Sequence, residues 1–172
     1  QLFEIDKNGK VQENENFTFS LSKTELSSFF SAHIGSFTDK EKEELVVLVA
    51  DPMAGTKIYL WEIEEEKKFK RIYNNPTTIN KKHPSSQPLE AIVTNQQEEK
   101  QNITVSFGSP NRNIVVLDFS AEKVEVKNNI ASSFLQNQAG NIMIKTIQTK
   151  EEDPSLYVFN AGKPKQSLTI DT

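Results

Sequence analysis

Histidine is the side chain best suited to proton transfer or metal ligation near neutral pH, and this 172-residue chain has two, His33 and His83, fifty positions apart. A catalytic or ligating role for either would call on a carboxylate such as Asp39 or Asp51. No metal-ligand spacing joins them, so they read as a partly buried strand histidine and a solvated loop histidine. Cysteine is absent, which removes thiolate ligands, disulfides and a Cys nucleophile. Serine and threonine are abundant, but no Gly-x-Ser-x-Gly turn presents one as a nucleophile. The glycines are too scattered for a phosphate-binding loop. Glu62, Glu64, Glu65 and Glu66 look like a paired-carboxylate candidate, yet they fall where a strand ends in a charged turn. The expectation is a chain with no catalytic residue, no metal and no cofactor.

Contact surfaces are better represented. Lys67, Lys68, Lys70 and Arg71 form a basic run with Phe69 and Tyr73 interleaved, a pattern that suits an acidic partner or stacked bases. The same run also reads as an edge strand guarded by its lysines against unwanted pairing. A second basic group, Lys81, Lys82 and His83, lies in a polar stretch with three prolines over 74–88. Ser85 and Ser86 follow it and are candidate phosphorylation sites, as are Thr77 and Thr78. The net charge of −4 and pI near 5.3 give no overall attraction for phosphate backbones, so other protein subunits are the expected partners and nucleic acid is not. No run approaches the roughly 18 to 20 apolar residues of a membrane helix, and no membrane contact is expected. The sequons Asn16-Phe17-Thr18 and Asn102-Ile103-Thr104 do not argue for secretion, because Asn102 opens a strand expected to be buried.

The elements that would position these residues are strands. A large apolar residue followed by an acid or amide recurs as Phe3-Glu4, Trp61-Glu62, Leu117-Asp118 and Phe159-Asn160, at intervals of 58, 56 and 42. Each of the last three closes a strand, turn, strand sequence: Leu45 to Ala50, Ile103 to Gly108 and Ile142 to Ile147 each precede a turn that contains Pro52, Pro110 or Pro154. A further short strand precedes each unit and a polar one follows it, as in Phe69 to Tyr73 and Lys123 to Val126. Near-continuous Val, Ile and Leu in the middle strands signals burial on both faces, and Lys or Glu alternation in the last signals an exposed edge. The only helical turn expected lies within 20–28.

A repeat of this size with four strands per unit is what a β-propeller blade produces. The predicted fold is therefore all-β, about three four-stranded antiparallel blades plus half a blade. Residues 1–17 would end a preceding blade, 28–73, 88–127 and 131–172 would be blades, and 74–87 an exposed loop between them. The pattern resembles the WD-repeat family, most closely at Ile58-Tyr59-Leu60-Trp61-Glu62-Ile63, where Trp-Glu stands in place of Trp-Asp. The resemblance implies a tight-turn aspartate at Asp51 and Asp153, but no Gly-His pair accompanies either. Closure of a propeller needs at least four blades, so a partial ring completed by further chain or by a partner is expected.

The resemblance implies a non-catalytic protein-protein interaction scaffold, a subunit of a larger intracellular assembly and by analogy a nuclear one. The alternative is a bacterial or secreted propeller, extracytoplasmic, that acts as an enzyme or glycan binder through blades not in this sequence. A channel enzyme would gather His, Asp or Glu at the starts of its innermost strands, where this chain offers His33 and Glu90.

Overall fold

The structure is a computed structural model, which describes residues 3–5, 7–13, 29–65, 68–94, 100–130, 142–147, 155–160 and 167–171. The expected helical turn within 20–28, the first strand of the last unit within 132–135, and Lys67 lie outside these residues. Every regular element described is a strand, and all pairings are antiparallel. β1 (Phe3–Ile5) and β2 (Val11–Glu13) form a hairpin. The next sheet joins β3 (Phe30–Gly35), β4 (Glu44–Asp51), β5 (Gly55–Glu64) and β6 (Lys68–Arg71) in chain order, with β7 (Thr77–Ile79) also on β5. β8 (Pro88–Thr94), β9 (Asn102–Phe107), β10 (Ile114–Phe119) and β11 (Val124–Ile130) form a second four-stranded meander. β12 (Ile142–Ile147), β13 (Ser155–Asn160) and β14 (Ser167–Asp171) form a third sheet. The described sheets do not close into a barrel.

Burial follows the two-residue period of an extended chain. In β4 and β5, Val46, Leu48, Ile58 and Leu60 point to one face, and Leu45, Val47, Val49, Tyr59 and Trp61 to the other. Both sets are buried, which is why β4 reads as an unbroken apolar run between Glu44 and Asp51. The first set meets Ile103, Val105 and Phe107 of β9 and Val115, Leu117 and Phe119 of β10 in one apolar core between the two meanders. Phe37 seals its end, with its ring 5.2 Å from that of Phe119. The outer strands are polar, as an edge should be: β6 and β11 are mostly exposed, and Val124 is the buried anchor of β11.

The equivalent dipeptides sit on the strand before the outermost one in every sheet: Trp61-Glu62 in β5, Leu117-Asp118 in β10, Phe159-Asn160 in β13 and Phe3-Glu4 in β1. Leu117 faces the preceding sheet, whereas Trp61 lies on the face of its own sheet turned away from the following one. Across the sheets, β3 lies beside β8, and β8 beside β12.

The stretch 74–87 differs from the exposed loop expected. Thr77, Thr78 and Ile79 pair with Ile58, Lys57 and Thr56, so β6 and β7 together line the outer edge of the ten-residue β5. Ile79 is buried in the core. The physical reason is length: β6 covers only the Trp61 to Glu64 end of β5, and the remaining N–H and C=O groups of that edge need a partner.

Because the shared core is the main apolar contact between the meanders, Leu48→Ala is expected to cost about 2 to 5 kcal/mol. Met53→Ala, on an exposed turn, should stay within about 0.5 kcal/mol. Urea unfolding of the two variants beside the parent chain measures both.

Candidate functional site

Asp51 and the turn after it begin one end of the molecule. The Asp51 carboxylate accepts from Met53 N at 3.0 Å and Ala54 N at 3.3 Å and pairs with Lys57 at 3.2 Å, which closes the β4–β5 turn. The Met53 N–H is the largest cause holding the Asp51 carboxyl below its ordinary value, burial opposes it, and Lys57 and the Ala54 N–H add to it. Gly55 sits at φ 106°, and a Cβ there would run into the Ile79 carbonyl oxygen. The β4–β5 turn and the β7–β8 loop thus lie against each other.

Asn80 organises that loop. It takes the left-handed conformation at φ 56°, and its Nδ2 donates to His83 O and Ser86 O, both at 3.1 Å. His83 N donates to Asn80 O at 3.1 Å and Ser86 N to His83 O at 3.0 Å, so the backbone winds tightly and displays Lys81, Lys82 and His83 at its tip. The β9–β10 turn then locks on: Asn111 N donates to Ser86 Oγ at 2.8 Å, and Gly108 N to Gln87 O at 2.9 Å. Three turns, 51–55, 80–87 and 108–113, therefore form one surface.

The residues singled out by sequence divide sharply. Lys81, Lys82, His83 and Ser85 are exposed on this surface. Ser86 is not available for phosphorylation: it is 1% exposed, because its hydroxyl bridges two turns. On β6 the basic run is occupied locally. Lys70 lies 3.6 Å from Glu64 and 4.0 Å from Glu62, Arg71 lies over the Tyr59 ring at 5.5 Å, and Phe69 packs against the cluster around Trp61. Tyr73 is 6% exposed and donates to Ser120 O at 2.6 Å across to the next sheet. Burial, then the charge of Glu44, push its phenol well above the ordinary value, against the pull of that hydrogen bond. Neither ring of the predicted stacking pair is presented for stacking, because both are needed for packing.

His33 is half-buried on β3 and its Nε2 lies 2.5 Å from Ser31 Oγ. Burial lowers its pKa. Asp39 caps its own loop at Glu41 N, 3.1 Å away. Glu90 is fixed to the third sheet, accepting from Ile144 N at 2.7 Å and from Lys145 Nζ at 2.9 Å. Among the described residues no group of three His, Asp or Glu side chains could hold a metal.

Sequence reasoning passed over two residues. Glu44 is wholly buried and its carboxylate accepts from Phe37 N and Thr38 N, each at 2.7 Å, and from the Thr38 hydroxyl. Gln101 grips Ser36 at two points, side-chain oxygen to Ser36 N at 2.9 Å and its own N to Ser36 O at 2.8 Å. It also lines an open cleft of about 440 Å³ at the β3 end of the molecule, with Lys40, Glu41 and Lys42. The cleft is shallow and polar, unlike the enclosed apolar pockets that hold small molecules. Gln101 carries no local sequence signal, since Ser36 is 65 positions away, whereas Glu44 acts on the loop just before its own strand.

Comparison with protein-family models, with curated proteins and with solved structures found no match.

Two of the shifted groups, His33 and Asp51, give a pH signature of stability on the acid side. Both folded values are lowered, so each contributes stability above its ordinary pKa that is lost as pH falls through the folded value. Acid titration of the urea midpoint should show a decline beginning near 6.5 that His33→Asn removes. A second decline, beginning near 3.8, should be removed by Asp51→Asn.

Proposed function

We propose that this chain is part of a WD-repeat-like β-propeller and serves as a non-catalytic interaction scaffold within a larger intracellular assembly. The observation that carries the reading is the sense in which the sheets repeat. Leu45 and Trp61 in one meander are matched in strand and register by Ile103 and Leu117 in the next. The second pair faces the preceding sheet, and the first pair faces away from the following one. The two meanders therefore present their equivalent faces in the same sense, as neighbouring blades around an axis would. In a two-sheet sandwich related by a two-fold axis, equivalent residues would instead face each other.

Two further observations support it. The first strands of the two meanders adjoin, β3 with β8, as inner strands around an axis would, and β8 also lies beside β12 of the third sheet. The face of the first meander that carries Trp61 continues through Phe30 and Ile34, which are more than half exposed, and a further sheet would cover them. The scaffold role rests on the site residues: Asp51 closes a turn, Glu90 ties the second meander to the third sheet, and His33 bonds Ser31 on its own strand. The intracellular setting rests on the family resemblance.

The absence of native cysteine makes a spin-label test clean. Nitroxides at Lys70 on β6 and Lys127 on β11 report the separation of the outer strands, which fan apart in a propeller. The expected double electron-electron resonance distance exceeds what stacked sheets about 10 Å apart would give, after allowance for the label arms. A distance that fits such a sandwich would refute the propeller.

A further inference from the structure

The three turns at one end of the strands are basic in balance and tied into a rigid surface. The turns 51–55, 80–87 and 108–113 carry Lys81, Lys82 and Arg112, and their one carboxylate, Asp51, is neutralised by Lys57 at 3.2 Å. The opposite end holds Asp39, Glu41 and Glu43 in the β3–β4 loop and Glu122 in the β10–β11 turn, with Lys40, Lys42 and Lys123. Eight-residue β4 separates the two ends by roughly 25 Å at about 3.3 Å per residue. Physiological salt screens charge over about 8 Å. Among the described turns an approaching ligand therefore meets Lys81 and Lys82 as a local positive field, although the whole chain is net negative at −4.

We propose that this end is a docking site for an acidic peptide segment of a partner protein, with acidic side chains on the exposed Lys81 and Lys82 and an apolar residue on Met53. Met53 is 79% exposed on the β4–β5 turn, which abuts the β7–β8 loop through Gly55 and Ile79. A flexible thioether beside cations suits acidic residues interspersed with an apolar one. The lysines stand on backbone already tied by Asn80, Gln87 Nε2 to Pro84 O at 2.9 Å and Ser86 to Asn111, so little loop ordering is left to oppose binding. A single-stranded nucleic acid would want aromatic platforms, and the three turns contain no Phe, Tyr or Trp. The site differs from the basic run on β6, whose cations are engaged by Glu62, Glu64 and Tyr59. This assignment deepens the scaffold reading and rests on it only in taking the ligand to be protein.

The test uses the full chain and a short fluorescein-labelled peptide of glutamates around one leucine, read by anisotropy. Binding is expected, and it should weaken as salt rises from about 0.05 to about 0.5 M. Lys81→Glu with Lys82→Glu should weaken it about tenfold or more, and Lys81→Gln with Lys82→Gln by less. Lys70→Glu should leave it within about twofold, a margin set by the small energy of exposed pairs. Circular dichroism and urea midpoints confirm that each variant is folded. The proposal is overturned by no binding, by equal binding of the glutamine version of the peptide, or by indifference to both lysine pairs. It is also overturned if an oligouridylate displaces the peptide at lower concentration than unlabelled peptide does, which would assign the surface to nucleic acid. Sedimentation showing self-association that the peptide abolishes would assign it to the acidic end of a second copy. None of these outcomes depends on the spin-label distance, so the docking site and the propeller can fail separately.

Discussion

Strands β4 and β5 bury both of their faces, and the remaining elements are arranged by the need to cover them. One face is satisfied by the second meander through a continuous apolar core from Phe37 to Val124. Fully burying each Val, Leu or Ile contributes about 1.5 to 3 kcal/mol, and a shift of one residue in register would exchange the two faces of a strand. Register here is held by complementary faces: Ile103, Val105 and Phe107 supply apolar groups toward the first meander. On the other side of the same strand, Asn102, Thr104 and Ser106 are buried polar groups. That side is tied by hydrogen bonds, Thr94 to Thr104 and Ser106 to the Glu90 carbonyl.

Apolar contact is not directional, so polar contacts between elements decide how the sheets sit on one another. Gln101 binds both backbone groups of Ser36, Tyr73 reaches Ser120, and Glu90 reaches Ile144 and Lys145. Each such bond adds only about 1 kcal/mol net, but a buried group left without its partner costs about 1 to 3. Sliding one sheet over the next would strand several of them together. The buried Glu44 carboxylate does the same for the 37–43 loop, where it gathers the N–H groups of Phe37 and Thr38. Rigidity at one end of the sheets and exposure of cations there arise from the same bonds, because the Asn80 and Ser86 contacts that shape the β7–β8 loop leave Lys81 and Lys82 at its tip.

Much of this was legible locally. Val-rich runs bounded by Asp-Pro and Ser-Pro turns marked β4, β9 and their partners, and the recurring dipeptide marked the strand before the edge in each sheet. What was not legible were the roles that depend on which surface a strand meets. Lys67 to Tyr73 looked like a binding strip because charge and aromaticity are visible in a string. Glu62, Glu64 and Tyr59, which occupy Lys70 and Arg71, come into reach only by pairing across β5. Ser86 looked modifiable because it lies in a polar, proline-rich stretch, and its burial depends on Asn111, which arrives from the next sheet.

Side-chain patterning thus settled in advance that the described residues form strands, where those strands turn and that β4 and β9 are buried on both faces, because period and turn chemistry are properties of neighbouring residues. The same expectation fails for β12, where Met143 is 46% exposed. Only the tertiary structure decided that three distant turns share one surface and which face of the first meander meets the second. It also decided that Lys81 and Lys82 remain displayed while Lys70 and Arg71 are occupied by Glu62, Glu64 and Tyr59. Those outcomes rest on contacts between residues far apart in the chain, such as Gly55 with Ile79, Ser86 with Asn111, and Tyr73 with Ser120. A local pattern carries no record of them.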